Sequence, residues 1–199
     1  MRTFKEAVKN RRSCYNISRK STISDEEIKE ILSFALLNVP SAFNSQSTRL
    51  VLLLGENHAK LWDAALKTLK TVTPPAAFPK TEEKVKSCFA CGYGTVLFFE
   101  DTAVVKALQD KFPTYKDNFP VWSEHTNAMQ QFAIWTMLED AGLGATLQHY
   151  NPLIDEEVKK IWNIDQAWKL RAQMPFGVKT KEPDPKDSAP LDPRLKIFK

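Results

Sequence analysis

The chain has 199 residues, 43% of them apolar, which is enough for one domain with its own core. Its 28 Lys and Arg are spread among 24 Asp and Glu, and a net charge of +4 with no aromatic-interleaved basic patch argues against a nucleic-acid module. Three cysteines argue against a disulfide framework. No apolar run approaches the ~18–20 residues of a membrane span, and no signal-like segment opens the chain, so a soluble, cytoplasmic protein is expected.

Residues 2–12 read as a short helix whose amphipathic turn, Phe4 to Val8, delivers Arg11, Arg12 and Ser13. Two adjacent guanidiniums and a hydroxyl can hold a dianionic phosphate or a ring carbonyl, because arginine presents a rigid fork of donors. On their own, the same residues fit a solvated basic face better. A second helix starts at Ser24, where Ser24 and Glu27 form a capping box and Ile23 can pack on Ile28 as a staple. Ile28, Ile31, Leu32 and Ala35 recur at helical spacing, and Pro40 ends the run.

Residues 40–47 form a loop dense in donors and acceptors, including Ser41, Asn44 and Gln46. Taken alone it is ordinary turn chemistry. It enters an apolar strand, residues 50–54, that reads as covered on both faces. Residues 57–72 are helical, prolines 74, 75 and 79 break the helix, and a short helix follows over 81–89. Cys88 and Cys91 have metal or redox spacing but lack a second such pair or a histidine pair, so they read as small buried hydrophobes.

A second apolar strand covers 94–99, and a helix from 102 stops at Pro113. The longest helix is expected over 123–141. Met129, Phe132, Ala133, Thr136 and Met137 form a stripe that Ile134, Trp135 and Leu138 widen, which implies burial in the protein or in a subunit interface. Gly142, Leu143 and Gly144 close it. A short strand, 145–147, leads to Gln148 and His149. Three roles are open to His149: catalytic acid, ligand contact or structural histidine, the last favoured. A helix over 155–163 precedes a half-buried strand, 170–176, in which Pro175 implies an edge or a bulge. Residues 178–199, rich in proline and lysine, read as an extended arm, either a loose tail or a strap on a partner subunit, with apolar Leu195, Ile197 and Phe198 favouring docking. There is no internal domain boundary.

Together Arg11 to Ser13, residues 40–46, 92–101, 142–152 and 172–177 resemble, in this order, the FMN-dependent nitroreductase superfamily, and most of all its short fungal and bacterial branch. The resemblance implies an α+β fold, a three-layer α/β/α sandwich on a mixed, mainly antiparallel sheet, in an intertwined homodimer with FMN at the interface. It implies that Arg11, Arg12 and Ser13 hold the phosphate, ribityl chain and pyrimidine edge. Ser41, Asn44 and Gln46 would reach the flavin ring from the other subunit. Leu147, Gln148 and His149 would lie beside the ring, and Lys186 would supply a further basic contact to the phosphate.

Two positions depart from the family pattern. Tyr15 stands where many members carry a cation, which bears on the flavin potential. Ser47 stands where many carry proline, with little consequence expected. The implied activity is hydride transfer from NAD(P)H through flavin N5 to a nitroaromatic or quinone, by a ping-pong route over one open ring face that Phe43, Tyr93 or Phe119 can shape. The flavin carries the hard chemistry, which fits the absence of an acid–base dyad or metal cluster in the sequence. A flavin-binding sensor with little turnover is the alternative, and kinetics separates the two.

Overall fold

The computed structural model describes residues 3–199; Arg2, where the first expected helix begins, lies outside them. Helix α1 (Phe4–Asn10) opens on a capping box between Thr3 and Glu6. It ends before Arg11, so Arg11, Arg12 and Ser13 leave as extended chain towards the short strand β1 (Ile17–Ser18). Helix α2 (Asp25–Asn38) starts at the Ser24–Glu27 capping box and stops ahead of Pro40, with Val39 already extended. Strand β2 (Thr48–Leu54), helices α3 (Gly55–Val72) and α4 (Phe78–Cys88), strand β3 (Gly94–Asp101) and helix α5 (Thr102–Lys111) follow. Then come α6 (Asn118–Asp140), β4 (Leu143–Ala145), α7 (Asp155–Trp162) and β5 (Trp168–Lys179).

Both α4 and α6 begin earlier than the proline pattern implies. Pro79 and Pro120 sit in the first turns of these helices, where a missing N–H breaks no helical hydrogen bond. Strand β4 also begins earlier than expected. Gly142 alone takes the left-handed turn, with φ 84°, so Leu143 and Gly144 already belong to the strand.

The sheet order is β1-β5-β3-β2, with β4 also paired to β5, and every named pairing is antiparallel. A parallel bridge joins Ser13 to Ala145. Alternate residues of β3 supply two cores. On one face, Val96 and Phe98 meet Ile28 and Leu32 of α2 and Ile134 and Leu138 of α6. On the other, Leu97 and Phe99 meet Leu61 and Trp62 of α3 and Val158 of α7. The fold is therefore α+β, with helices on both sides of one mainly antiparallel sheet. Strand β2 is covered on both faces but lies at the sheet edge, which leaves most of its residues half-buried.

Two sequence expectations change. Strand β5 is central rather than an edge, and it is buried from Ala172 to Gly177. Pro175 is tolerated because its carbonyl accepts from the Thr146 N–H at 3.2 Å, so its missing donor faces a stretch of irregular pairing just past β4. The helix α6 stripe is split, with Thr136 buried beside Ile134 and Leu138 and its Met129–Phe132 end exposed on this chain. Met129 and Phe132 are each 41% exposed, while Asn127, Gln130, Ile134 and Leu138 face inward. Asn127 can lie there because its amide donates to the Phe99 carbonyl and to Glu100. Beyond β5 the arm carries no helix or strand, and Phe198 is 91% exposed. Among the described residues, no helix is long and apolar enough to cross a membrane.

Gly177 sets how closely β1 approaches β5, since a Cβ there would lie 2.1 Å from the Ser18 carbonyl oxygen. Gly177→Ala is expected to destabilise the fold by about 1–3 kcal/mol, read as a lower urea midpoint at unchanged slope.

Candidate cofactor site

The first cluster lies where the amino-terminal segment meets β4. Ser13 bridges to Ala145, and the Cys14 N–H donates to the Ala145 carbonyl at 2.9 Å. The chain then runs on along β5, with Gln148 and Gln173 exchanging backbone bonds of 2.7 and 2.9 Å. The bridge sets Ser13 beside Ala145, two residues before Leu147, with Gln148 and His149 following. Leu147 packs on the α2–α6 core. The Gln148 side chain donates to Thr146, and His149 is exposed, which removes a core-histidine role.

The Arg11 guanidinium stands 4.4 Å above the Trp135 ring, which holds its plane. Its Nε is buried without a hydrogen-bond partner. Burial first, and then the neighbouring Arg12, lower the Arg11 pKa, so an anion beside the pair would relieve both costs. Arg12 donates to the Asp184 carbonyl at 2.8 Å and ties down the start of the arm. Lys186 follows two residues later on an exposed stretch. A cavity of about 380 Å³ opens beside Arg12, lined by Lys9, Asn10, Glu139, Lys179 and Glu182.

Lys179 lies 3.3 Å from Glu139 and 3.1 Å from Glu182. Burial works against its charge, but these two carboxylates outweigh that and hold its pKa above the usual lysine value. Tyr15 is exposed and reaches the same neighbourhood through Phe89, whose ring lies 6.3 Å from Tyr15 and 6.2 Å from Tyr150. Cys88 and Cys91 are half-buried free thiols rather than core residues. Among the described residues, no group of three or more His, Cys, Asp or Glu is placed to hold a metal.

The second cluster is the loop before β2. Around the single turn Ala42–Asn44, three residues other than glycine adopt left-handed backbone: Phe43 (φ 55°), Asn44 (φ 50°) and Gln46 (φ 48°). Such conformations cost on the order of 1–3 kcal/mol each and persist only where contacts enforce them. The Gln46 N–H donates to Ser41 Oγ at 3.0 Å, and Arg49 donates to the Gln46 carbonyl at 2.7 Å. Phe43 packs among Phe112, Tyr115, Phe119 and Trp122. It lines a cavity of about 400 Å³ with Trp122, His125 and Met129. Phe119 is buried behind it. Tyr93 lies elsewhere, donating to Asp25 at 2.6 Å beside a separate cavity of about 630 Å³.

One chain does not bring the two clusters together. Ala145 is opposite Phe176, whereas Asp101, whose N–H bonds the Ser47 carbonyl, is opposite Trp168. Eight residues of strand separate these positions, roughly 26 Å at ~3.3 Å per residue; Gln148, opposite Gln173, is five residues from Trp168, and β3 intervenes as well.

Residues 8–178 match the model of the Nitroreductase family. The chain belongs to the nitroreductase family. It is 34% identical over 185 residues to nitroreductase FRM2 of Saccharomyces cerevisiae, covering 92% of this chain and 91% of that relative. The solved nitroreductase CinD from Lactococcus lactis, in complex with chloramphenicol, is 40% identical with a TM-score of 0.91, covering 99% of this chain and 100% of that one. The same protein in complex with 4-nitrophenol is 41% identical, with a TM-score of 0.90 and the same coverage. A putative nitroreductase in complex with FMN from Desulfovibrio desulfuricans shares the fold at 17% identity and a TM-score of 0.70, covering 100% of this chain and 99% of that one. Membership of this nitroreductase family supports an oxidoreductase enzyme.

Sequence reasoning passed over three residues that shape these clusters: Trp135 under Arg11, Glu100 beneath the loop, and Gln173. Each sits in an apolar run that reads as core, and the polar interruptions Glu100 and Gln173 were the available signal. Fully buried Gln173 accepts from the Tyr150 N–H at 2.8 Å and donates to Asn151 at 3.4 Å, bracing the segment after His149. Gln173→Leu is expected to cost about 1–3 kcal/mol in chemical denaturation by leaving the Tyr150 N–H unpaired, and Gln173→Glu is expected to recover none of it, since it buries a carboxylate with an oxygen facing Asn151 Oδ1.

Proposed function

We propose that this nitroreductase-family chain is an FMN-dependent oxidoreductase that works as a homodimer in the cytoplasm, passing electrons from NADH or NADPH to nitroaromatic or quinone acceptors. The observation that carries the cofactor assignment is the buried, unpartnered Arg11 Nε beside Arg12 and Ser13. A dianionic phosphate fits this donor set, because it supplies acceptor oxygens to a guanidinium already oriented by Trp135. The CinD complexes with chloramphenicol and 4-nitrophenol support an aromatic acceptor.

Bound there, FMN would accept a hydride equivalent from a reduced nicotinamide and deliver two electrons to an acceptor in a second half-reaction. The chain's residues do the rest. Arg11, Arg12 and Ser13, with Lys186 from the arm, anchor the phosphate end. The backbone of residues 147–149, stiffened by Gln173, lies along the ring. Ser41, Asn44 and Gln46 belong to a loop that the fold keeps far from these groups, so they act on the cofactor of a second copy. Tyr15 brings no cation to the ring, so stabilisation of a reduced anion falls to other groups.

Apolar side chains on one chain support the pairing. Leu37 is 84% exposed, and Phe34, Met129 and Phe132 are exposed with it, a set that a second copy would cover. The arm, with exposed Leu195, Ile197 and Phe198, would lie on that copy as a strap.

Purified protein is expected to be yellow or to become so with FMN, and anaerobic NADH or NADPH is expected to bleach it faster than about one turnover per minute. Slower bleaching would favour a sensor. Arg11→Ala is expected to weaken FMN binding about 10- to 100-fold in fluorescence titration, the equivalent of a charge-assisted hydrogen bond. Unchanged affinity would remove Arg11 from the phosphate site.

A further inference from the structure

We propose that Glu100 is a positioning residue for the loop over residues 41–46: its buried carboxylate grips both the end of the loop and helix α6, and so holds the loop in the shape it presents to the cofactor of a second copy. The inference rests on the reading above for what the loop meets, and on geometry for how the loop is held.

Glu100 is wholly buried near the end of β3. Ser47 Oγ donates to its Oε2, and Thr48 Oγ1 donates to its Oε1. Asn127 Nδ2 donates to the same Oε1 at 2.9 Å and to the Phe99 carbonyl at 3.1 Å. One side chain thus joins three separate elements: the loop end with β2, the central strand β3, and α6. Among the described residues no cation pairs with the carboxylate, and the nearby Arg49 pairs instead with Asp101 at 3.0 Å. A carboxylate buried among three donors is costly unless every bond is kept, so it specifies their positions closely.

The loop needs such an anchor. Its three left-handed residues do not favour this shape by themselves. The inner end is closed by Ser41 on the Gln46 N–H, and the outer end by Ser47 on Glu100 and by the Asp101 N–H on the Ser47 carbonyl at 2.9 Å. Phe43 rests on Phe119 and Trp122 of α6, the helix to which Asn127 ties Glu100. The anchor and the aromatic seat therefore move together. Loosening Glu100 lowers the fraction of molecules whose loop is in the binding shape, and the apparent affinity falls by that fraction. Ser47, where sequence alone gives little reason to expect a consequence, becomes the loop's link to the core.

The test uses the full-length protein with two variants. Ser47→Ala removes the loop-side donor alone. Glu100→Gln keeps the side-chain shape but replaces an acceptor with a donor. Hydrogen exchange over residues 41–47 is measured without flavin; FMN affinity and the visible circular dichroism of bound flavin are measured with it. We expect loop exchange about tenfold faster in both variants, FMN binding about tenfold weaker, and an altered flavin signal, with exchange in the central strands unchanged. The double variant is expected to be no worse than the worse single one. If Glu100→Gln fails to fold, Ser47→Ala decides alone. Unchanged loop exchange would overturn the inference, as would faster exchange with FMN affinity within twofold of the parent. A parent protein that binds no FMN would instead sink the functional reading, and the positioning role with it.

Discussion

Strand β5 is the constraint on which the rest of the structure depends. It pairs with β4 on one edge and with β3 and then β1 on the other, since Phe176 is opposite both Gly94 and Ala145 and Val178 is opposite both Ser18 and Leu143, and it is buried through its middle. A strand held in this way has no freedom to bend its two ends together. The arginine cluster and the left-handed loop are registered against different stretches of it, so their separation is a property of the sheet and not of flexible connections. In the proposed reading, two-fold pairing resolves this: an isologous interface repeats every contact and makes two complete sites from four half-sites.

Each half-site is braced by a buried polar side chain from a central strand. Gln173 on β5 holds the segment after His149, and Glu100 on β3 holds the end of the loop. Both replace the regular pairing that these irregular segments lack, and both obey the rule that buried polar groups find partners. Arg11 departs from that rule with its unpartnered Nε, as do Gln130, Asp155 and Arg171 with one atom each, and in the proposed reading the neighbouring Arg12 and Ser13 make the Arg11 cluster the place for an anion. On that reading, backbone strain, a partnerless donor and exposed apolar side chains fall on the surfaces that a second copy would complete.

Much of the scaffold was legible in the sequence. The Ser24–Glu27 capping box, the stop at Pro40 and the apolar runs of β2 and β3 all describe local events, and local patterns report them. The errors came where tertiary contacts overrode the pattern. Alternation in residues 170–176 reads as half-buried because Gln173 is polar, yet Gln173 is fully buried once Tyr150 and Asn151 satisfy it. The apolar surround of α6 gave no direction, and its inward face was decided by Asn127 meeting Glu100. Likewise, the site residues carry no local signature beyond ordinary turn and basic-face chemistry. Their expected roles come from the resemblance alone, whereas Glu100 and Gln173 depend on partners distant in sequence and could not be assigned that way.

The central claim is that one site is built from two chains, and mixing variants tests it most directly. One chain would carry Arg11→Ala and the other Gln46→Ala, so that each homodimer is defective at both sites. If the clusters combine across the interface, a mixed dimer contains one site bearing both changes and one bearing neither. Co-refolding the two chains is then predicted to restore tight FMN binding at one site per mixed dimer. If each site lies within a single chain, every site in the mixture carries one defect, and no tight binding would return.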